Sequence, residues 1–420
     1  MTSILIKNVW LERDTTDIFI EGNTIGKIGK NLDVQAQQTI DGSRKAAIPG
    51  LVNGHGHAAM TLYRGWGDDL PLEQWLYDRI WPREAKMTED DVYWGVKLAC
   101  LEMIKTGTTC ANDMYAVFNA TAQAVADMGL RMVAAPTIWD FFNEDNAEAS
   151  KKQTLQHFRD AQKYGSRITF AAAPHAIYTV SAKLLQWSHD FANDNDLLIH
   201  LHLAESRTEH DNAVQQFGLS PVRYLHKLGL LSPRLILAHC VWLDDDEIKM
   251  LADHEVSVVH NPNSNLKLAS GYRFKYREMK QAGITIGLGT DGCASSNNLD
   301  MIETMKTASL LQKAWRYDPT LFPAQEALDC ATVNGAKMLR LHTGKIEPGR
   351  LADLCLIDLD TTAFTPNFDF VSNLVYAANG NYVDTVICDG RILMQHRQVA
   401  GEREILDRAA DAAYQLTSRQ

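Results

Sequence analysis

Cysteine is scarce and unpatterned. The seven thiols, Cys100, Cys110, Cys240, Cys293, Cys330, Cys355 and Cys388, include no C-x-x-C pair, so neither a disulfide framework nor a thiolate zinc site is expected and the thiols read as mostly buried. Long apolar runs are missing too. No stretch approaches the ~18 uninterrupted apolar residues of a membrane span, and Lys7, Glu12 and Asp14 near the start do not fit a signal peptide, so a cytoplasmic protein is expected. Positive charge is in deficit. Lys and Arg number 41 against 52 Asp and Glu, a net charge of −11, which lacks the basic footprint of a nucleic-acid or anionic-membrane binder. A small-molecule partner is the default. Walker loops, G-x-S-x-G elbows and H-E-x-x-H helices are all absent, as are repeats and low-complexity tracts.

What is present is an ordinary globular composition, 45% apolar and 22% charged over 420 residues, long enough for one large domain and a smaller one. From about residue 50 to 340, short β-rich runs ending in polar residues alternate with amphipathic stretches, the pattern of a parallel sheet with helical crossovers. Eight such units are expected. Their strands are Leu51 to His57, Thr108 to Met114, Arg131 to Ala135, Ile168 to Pro174, Leu198 to His202, Leu235 to His239, Val256 to His260 and Thr285 to Asp291. Thr88 with Asp91 reads as a capping box opening a helix to Thr106, and Ser181 to Asn195 as another helix. Eight units in this length predict an α/β fold, a closed (β/α)8 TIM-like barrel.

The two ends read as β. Ile4 to Val9, Asp17 to Ile20 and Thr24 to Ile28 are strand signals at one end; Leu354 to Ile357, and Val383 to Cys388 meeting Arg391 to Met394 across Asp389-Gly390, are those at the other. Neither end has residues enough for its own core. Both are therefore expected to join in one small β-sandwich, residues 1–49 with 346–420, beside a catalytic barrel spanning 50–345. Glu404 to Gln420 reads as a terminal helix with a frayed end.

Candidate chemical groups fall at the C-terminal ends of predicted barrel strands, where barrel enzymes build their sites. His55 and His57 in Asn53-Gly54-His55-Gly56-His57 lie two apart, so the strand's period of two sends both to one side, where they either grip a metal or stand as polar loop residues. His200 and His202 repeat the spacing. His202, nearest the strand's end, is the candidate ligand, and His200, a layer deeper, reads as a packed or supporting residue. Glu205, three residues on, is either an exposed loop carboxylate or, beside a metal, a proton shuttle. His239 ends the sixth strand and Asp291 the eighth. Three histidines and one aspartate make a nitrogen-and-oxygen set suited to Zn²⁺ or Fe²⁺ with room for water. Gly287, Gly289 and Gly292 satisfy G-x-G-x-x-G, but in the eighth unit, with Asp291 inside the loop, the pattern is not read as a nucleotide fingerprint.

These residues in this order resemble the amidohydrolase superfamily, and nearly the whole chain is similar to its methylthioadenosine/S-adenosylhomocysteine deaminase branch. Ala47-Ile48-Pro49-Gly50-Leu51-Val52-Asn53-Gly54-His55-Gly56-His57 resembles the superfamily opening, and Gly344-Lys345-Ile346-Glu347-Pro348-Gly349-Arg350-Leu351-Ala352-Asp353-Leu354 its return to the β-sandwich. The branch is carried by Met60 to Gly65, Asp68 to Leu72, Ile80-Trp81-Pro82-Arg83-Glu84, Pro174 to Thr179, and Thr290 to Asn297. The resemblance implies one divalent metal ion, zinc or else Fe²⁺ or Mn²⁺, held by His55, His57, His202 and Asp291. It further implies Glu205 as the acid for the ring-nitrogen proton, His239 beside the water, Glu84 on the ribose hydroxyls and His175 on the purine. The implied reaction is hydrolytic deamination of adenosine-type nucleosides, releasing ammonia. The H-x-E with P-C-x-x-C signature of cytidine-type zinc deaminases is absent.

One departure bears on the substrate. The branch is expected to recognise a homocysteine carboxylate with arginines after the third strand, yet Thr137 to Gln156 contains none and offers Trp139, Phe141 and Phe142 with Asp140, Glu144 and Asp145. An unpaired buried anion is costly. Methylthioadenosine or adenosine is therefore expected in preference to S-adenosylhomocysteine, unless Arg64 or a neighbouring subunit supplies the cation. The competing readings are a guanine, oxopurine, pterin or triazine hydrolase of the same superfamily, and a non-catalytic metal-binding scaffold. A homo-oligomer is expected on base rates.

Overall fold

The computed structural model describes residues 2–419, so Met1 and the last residue of the expected terminal helix, Gln420, lie outside it. Among the described residues, seventeen strands form in chain order. The first five are β1 (Ser3–Leu11), β2 (Asp14–Glu21), β3 (Thr24–Gly29), β4 (Gln38–Asp41) and β5 (Lys45–Pro49). Next come β6 (Leu51–Gly56), β7 (Thr108–Met114), β8 (Arg131–Ala135), the short β9 (Thr137–Ile138), β10 (Ile168–Pro174), β11 (Leu198–Leu203), β12 (Leu235–His239), β13 (Ser257–His260) and β14 (Ile286–Leu288). The last three are β15 (Leu354–Asp358), β16 (Val383–Cys388) and β17 (Arg391–Met394).

Eight parallel strands run in the order β14-β13-β12-β11-β10-β8-β7-β6, and the ring is drawn shut where Asp291 N donates to the His55 carbonyl at 3.0 Å. Strands buried on both faces read as continuous apolar runs, which is why all eight were legible. Their interior is filled by small and branched side chains, among them Val52, Cys110, Val133, Ala171, Ala173, Ile236 and Val259. Met338 plugs the floor so closely that a Cβ at Gly54 or Gly287 would lie 2.9 Å from its Cε. The glycine pattern of the eighth unit is thus a packing requirement, since a Cβ at Gly289 would also meet Asn261 Oδ1 at 2.4 Å.

Both chain ends enter one eight-stranded mixed sheet, β17-β16-β15-β5-β1-β2-β3, with β4 branching from β1. Ile4, Ile6, Ile18, Ile20, Ile40, Leu354, Leu356 and Ile387 from the two ends share its core. Asp389 and Gly390 take positive φ of 51° and 70°, the conformation a two-residue hairpin requires. The strands β4 and β5 were not anticipated, because Gln38 to Asp41 is mostly polar and exposed and Lys45 to Pro49 ends on proline. Buried Arg131 at the start of β8 ties the sheet to the barrel through Asp353 and Asp389. All seven cysteines are free and buried. The helix Glu89–Lys105 opens on the Thr88–Asp91 capping box, and Ser181 caps Ala182–Asp194. Among the described residues, no helix is long and apolar enough to cross a membrane.

Candidate active site

The strand ends that bear the candidate groups leave regular geometry at the point where they meet. Ala204, His239 and Asp291 have φ of 52°, 76° and 61°, a left-handed backbone that non-glycine residues adopt at a cost and that concentrates at functional sites. These bends turn β11, β12 and β14 inward over the barrel mouth. There His55 Nε2 and His57 Nε2 lie 3.2 and 3.1 Å from Asp291 Oδ1, while His202 Nε2 lies 3.3 Å from His57 Nε2. The chain brings all four together.

Hydrogen bonds behind the rings fix which nitrogen faces inward. His57 Nδ1 donates to the Met114 carbonyl at 2.6 Å and His202 Nδ1 to that of His175 at 2.8 Å. A carbonyl only accepts, so both Nδ1 atoms carry protons, and in the neutral form that can bind a cation the facing Nε2 atoms would present lone pairs to each other. Two lone pairs at that separation repel unless a cation sits by them. His55 Nδ1 is bonded to His200 Nε2 at 2.7 Å, and the buried His55 Nε2 has no hydrogen-bond partner. His200 is therefore the supporting residue it was read to be. The donor set fits a divalent cation, because each ring is oriented by a partner on its far nitrogen. Ligand-capable atoms gather in two overlapping triads, His55, His57 and Asp291, and His55, His202 and His239.

Electrostatics divide the carboxylates. Burial works against the Asp291 charge, but the adjoining His55 and His57 rings outweigh it and hold the carboxyl well below its usual range. Ser264 and Ser295 hydroxyls donate to its other oxygen at 2.6 and 2.9 Å. Burial also opposes charge on His57, yet Asp291 outweighs it and raises the ring to about 9. Glu205 goes the opposite way. Burial, then the charges of Asp291 and Glu209, push its carboxyl well above the carboxylate range. Its Oε2 stands 3.7 Å from His239 Nε2. Burial lowers His239 to about 3, so it is neutral.

A cavity of about 350 Å³ joins these groups to the remaining candidates, with His57, His202, Glu205, His239 and Asp291 at one end and Glu84 and His175 along its wall. Tyr115 OH donates to Glu84 Oε1 at 2.8 Å, and burial raises the Glu84 carboxyl. His175 Nδ1 pairs with Thr179 Oγ1 at 2.8 Å, and burial lowers the ring to about 3. Leu72, Trp75, Leu76, Trp81, Trp139 and Phe141 add an apolar share of the lining. Among the described residues, no Lys or Arg lines the cavity. Arg64 is committed elsewhere, to the Glu102 carboxylate and the Asn297 carbonyl. Asp140 is buried and spent on Phe142 N and Ser181 N.

Sequence reasoning left the seventh strand without a role. Asn261-Pro262-Asn263-Ser264-Asn265 follows β13, and besides Ser264 it places the amides of Asn261 and Asn265 at 3.3 and 3.0 Å from His239 Nδ1. Glu209 was missed as well: its carboxylate accepts from Ala204 N and Glu205 N at 2.9 and 2.8 Å, fixing the bend that presents Glu205. The available signal was polar density directly after a barrel strand.

Comparisons with known proteins agree in kind with this geometry. The chain is 46% identical over 425 residues to a 5'-deoxyadenosine deaminase of Methanoregula boonei, covering 99% of this chain and 96% of that protein. It is 44% identical to a 5-methylthioadenosine/S-adenosylhomocysteine deaminase of Archaeoglobus fulgidus, covering 95% and 94%. Among solved structures, an adenosine deaminase from Xanthomonas campestris with bound zinc superposes with a TM-score of 0.94 at 32% identity, covering 100% of this chain and 99% of that one. Residues 46–393 match the amidohydrolase family, and to that family the chain belongs.

Proposed function

We propose that the protein is a hydrolytic deaminase of adenosine-type nucleosides whose 5' substituent is neutral, converting them to the inosine analogue and ammonia. The observation that carries this reading is one cavity lined by oppositely tuned carboxylates, by Glu84 and His175 and by apolar side chains, with no Lys or Arg among the described residues of its lining. The names of the relatives, 5'-deoxyadenosine and methylthioadenosine/S-adenosylhomocysteine deaminases, support the substrate class. A guanine-type or triazine-type reading is less favoured, since Glu84 then has no ribose to meet.

His55, His57, His202 and Asp291 would hold one divalent ion, and zinc is our assignment, with Fe²⁺ and Mn²⁺ the alternatives that elemental analysis separates. When bound, the ion supplies the acidity that makes water a nucleophile at neutral pH. Carboxyl groups whose environments drive them apart divide the acid and base roles. Asp291, kept ionised, accepts the water's proton as oxygen attacks purine carbon 6. Glu205, kept protonated, delivers its proton to ring nitrogen 1, which takes up the charge the attack displaces. His239, neutral and beside Glu205, orients the water. Asp291 then passes its proton to the amino group, and the bond from carbon 6 to nitrogen breaks as ammonia leaves. The hydroxyl proton returns to Glu205 as carbon 6 becomes a carbonyl. Glu84 accepts from the ribose hydroxyls and His175 meets the purine edge. The apolar side chains surround the 5' group. We assign this chemistry to residues 50–345, with 1–49 and 346–420 as the supporting β-domain and terminal helix.

The test is kcat/KM on 5'-deoxyadenosine, methylthioadenosine, adenosine and S-adenosylhomocysteine, with metal analysis. The neutral nucleosides should be favoured. A preference for the homocysteine conjugate refutes the 5' assignment, and inertness on all four refutes the deaminase.

A further inference from the structure

Glu84 ends the last turn, Trp81–Glu84, of a helical run that starts at Leu72 and passes through a π-helical stretch at Trp75–Ile80. A π-helical stretch is a local irregularity in the helix ladder, so the position of the turn that follows it depends on what packs against it. Its inner side lines the cavity through Trp81, Glu84, Ala85 and Met87. Its outer side is held by the far end of the chain. Arg83 Nη1 and Lys86 Nζ donate to the Arg419 carbonyl at 3.0 and 3.3 Å, and Arg419 Nη1 donates back to the Lys86 carbonyl at 3.0 Å.

Arg419 is anchored in turn. Its Nη2 donates to Asp91 Oδ1 at 3.0 Å and its Nη1 to Oδ2, a fork on a carboxylate that is itself only 2% exposed. The same Asp91 oxygen accepts from Thr88 N at 2.7 Å and Thr88 Oγ1 at 2.8 Å, closing the capping box of Glu89–Lys105. Asp91 thus fixes both the start of that helix and the guanidinium behind the Glu84 turn. The helix Glu402–Ser418 delivers Arg419 to this point, burying Ile405, Ala409, Ala412 and Leu416. Glu402 is tethered to Lys105 at 2.7 Å.

We propose that Arg419 is a positioning residue for nucleoside binding, locking the Trp81–Met87 turn so that Glu84 stands where the ribose hydroxyls arrive. The assignment rests on the reading of Glu84 given above. Arg419 lines no part of the cavity, so its effect falls on binding rather than on the reacting carbon.

The test compares full-length, metal-loaded wild type with Arg419→Ala and Arg419→Lys, on adenosine and on 2',3'-dideoxyadenosine. Loss of the fork should raise KM for adenosine about tenfold, the scale of one charged hydrogen bond, with kcat within about twofold and KM for the dideoxynucleoside unchanged. Lysine keeps the charge without the fork and should fall between. Amide exchange over 81–88 should quicken in both variants while that of 198–203 holds. An equal KM rise for both nucleosides, an unchanged KM, or unchanged exchange overturns the proposal. If Arg419→Ala fails to fold, the lysine variant decides by the same criteria. A wild type inert on adenosine sinks the deaminase reading instead, and exchange at 81–88 then decides the latch alone.

Discussion

Replacing Glu205 with Gln separates the proton-transfer role from every structural one. The side chain is 7% exposed, and Gln fills the same volume. Its backbone bend is held by Glu209 through Ala204 N and Glu205 N, contacts the substitution leaves alone. Glu205 also stands outside both ligand-capable triads. Metal content and KM should therefore stay near wild type. What disappears is a carboxyl proton whose retention burial favours. A positioned general acid contributes about 10²–10⁴-fold, equivalent to about 3–5 kcal/mol of barrier at about 1.36 kcal/mol per decade. kcat should fall by that factor. The wild-type rate should decline as pH rises through the elevated Glu205 pKa, and the variant should lack that limb. Steady-state deamination followed by ultraviolet absorbance, with elemental analysis of the same samples, checks both. A loss below tenfold, or an equal loss of metal, shows that the acid has been misassigned.

Three further outcomes are expected. Arg131→Met strands Asp353, which is 1% exposed, after losing bonds of 2.9 Å to it and 2.9 Å to Asp389; denaturant unfolding should show a loss of about 3–5 kcal/mol, and a change under 1 kcal/mol contradicts the role. His200→Ala removes the 2.7 Å partner of His55 Nδ1 and should weaken metal binding about 10–100-fold, read by chelator competition; unchanged affinity excludes the orienting role. Burial, opposed by bonds from the Glu205, Ala204 and Ser206 amides, raises Glu209 from 4.5 to about 7. The folded state then binds its proton more tightly, so this group's stabilisation is complete below the unfolded pKa and is lost as pH rises towards the folded one. Glu209→Gln should gain on wild type by about 3 kcal/mol between pH 4.5 and 7.5, and a pH-independent difference in unfolding free energy refutes the shift.

The barrel was readable because its strands are buried on both faces and so advertise themselves as apolar runs. Thr108–Met114 and Ile168–Pro174 fall on their expected limits. The polar edge of the β-domain is different. Gln38–Asp41 exposes three of four residues, and its pairing with β1 is set by backbone bonds that composition does not encode. Chemistry at strand ends was readable for the same reason as the strands, since a polar residue terminating an apolar run stands out. The groups that tune that chemistry were not. Ser264, Asn265 and Glu209 lie on the segments after the strands, and each acquires its role only where those segments meet the left-handed bends at Ala204, His239 and Asp291. Sequence spacing carries no information about that meeting.

The two H-x-H pairs show how far periodicity alone can go. Period two places both members of each pair on one face, yet the structure uses them unequally: His55 and His57 both face Asp291 at 3.2 and 3.1 Å, whereas only His202 of the second pair joins them. The difference is depth. His55, fully buried, sits low enough for its Nδ1 to meet His200 Nε2 at 2.7 Å, so the deeper member of the fifth-strand pair is consumed in aiming the deeper member of the first. His57 and His202, a layer higher, take main-chain carbonyls instead. Four histidines at identical spacing therefore yield three inward-facing nitrogens and one support, and the allocation follows from the stagger of the strands. A substitution at His200 should thus be felt at His55 before it is felt at His202, the ring next to it in sequence.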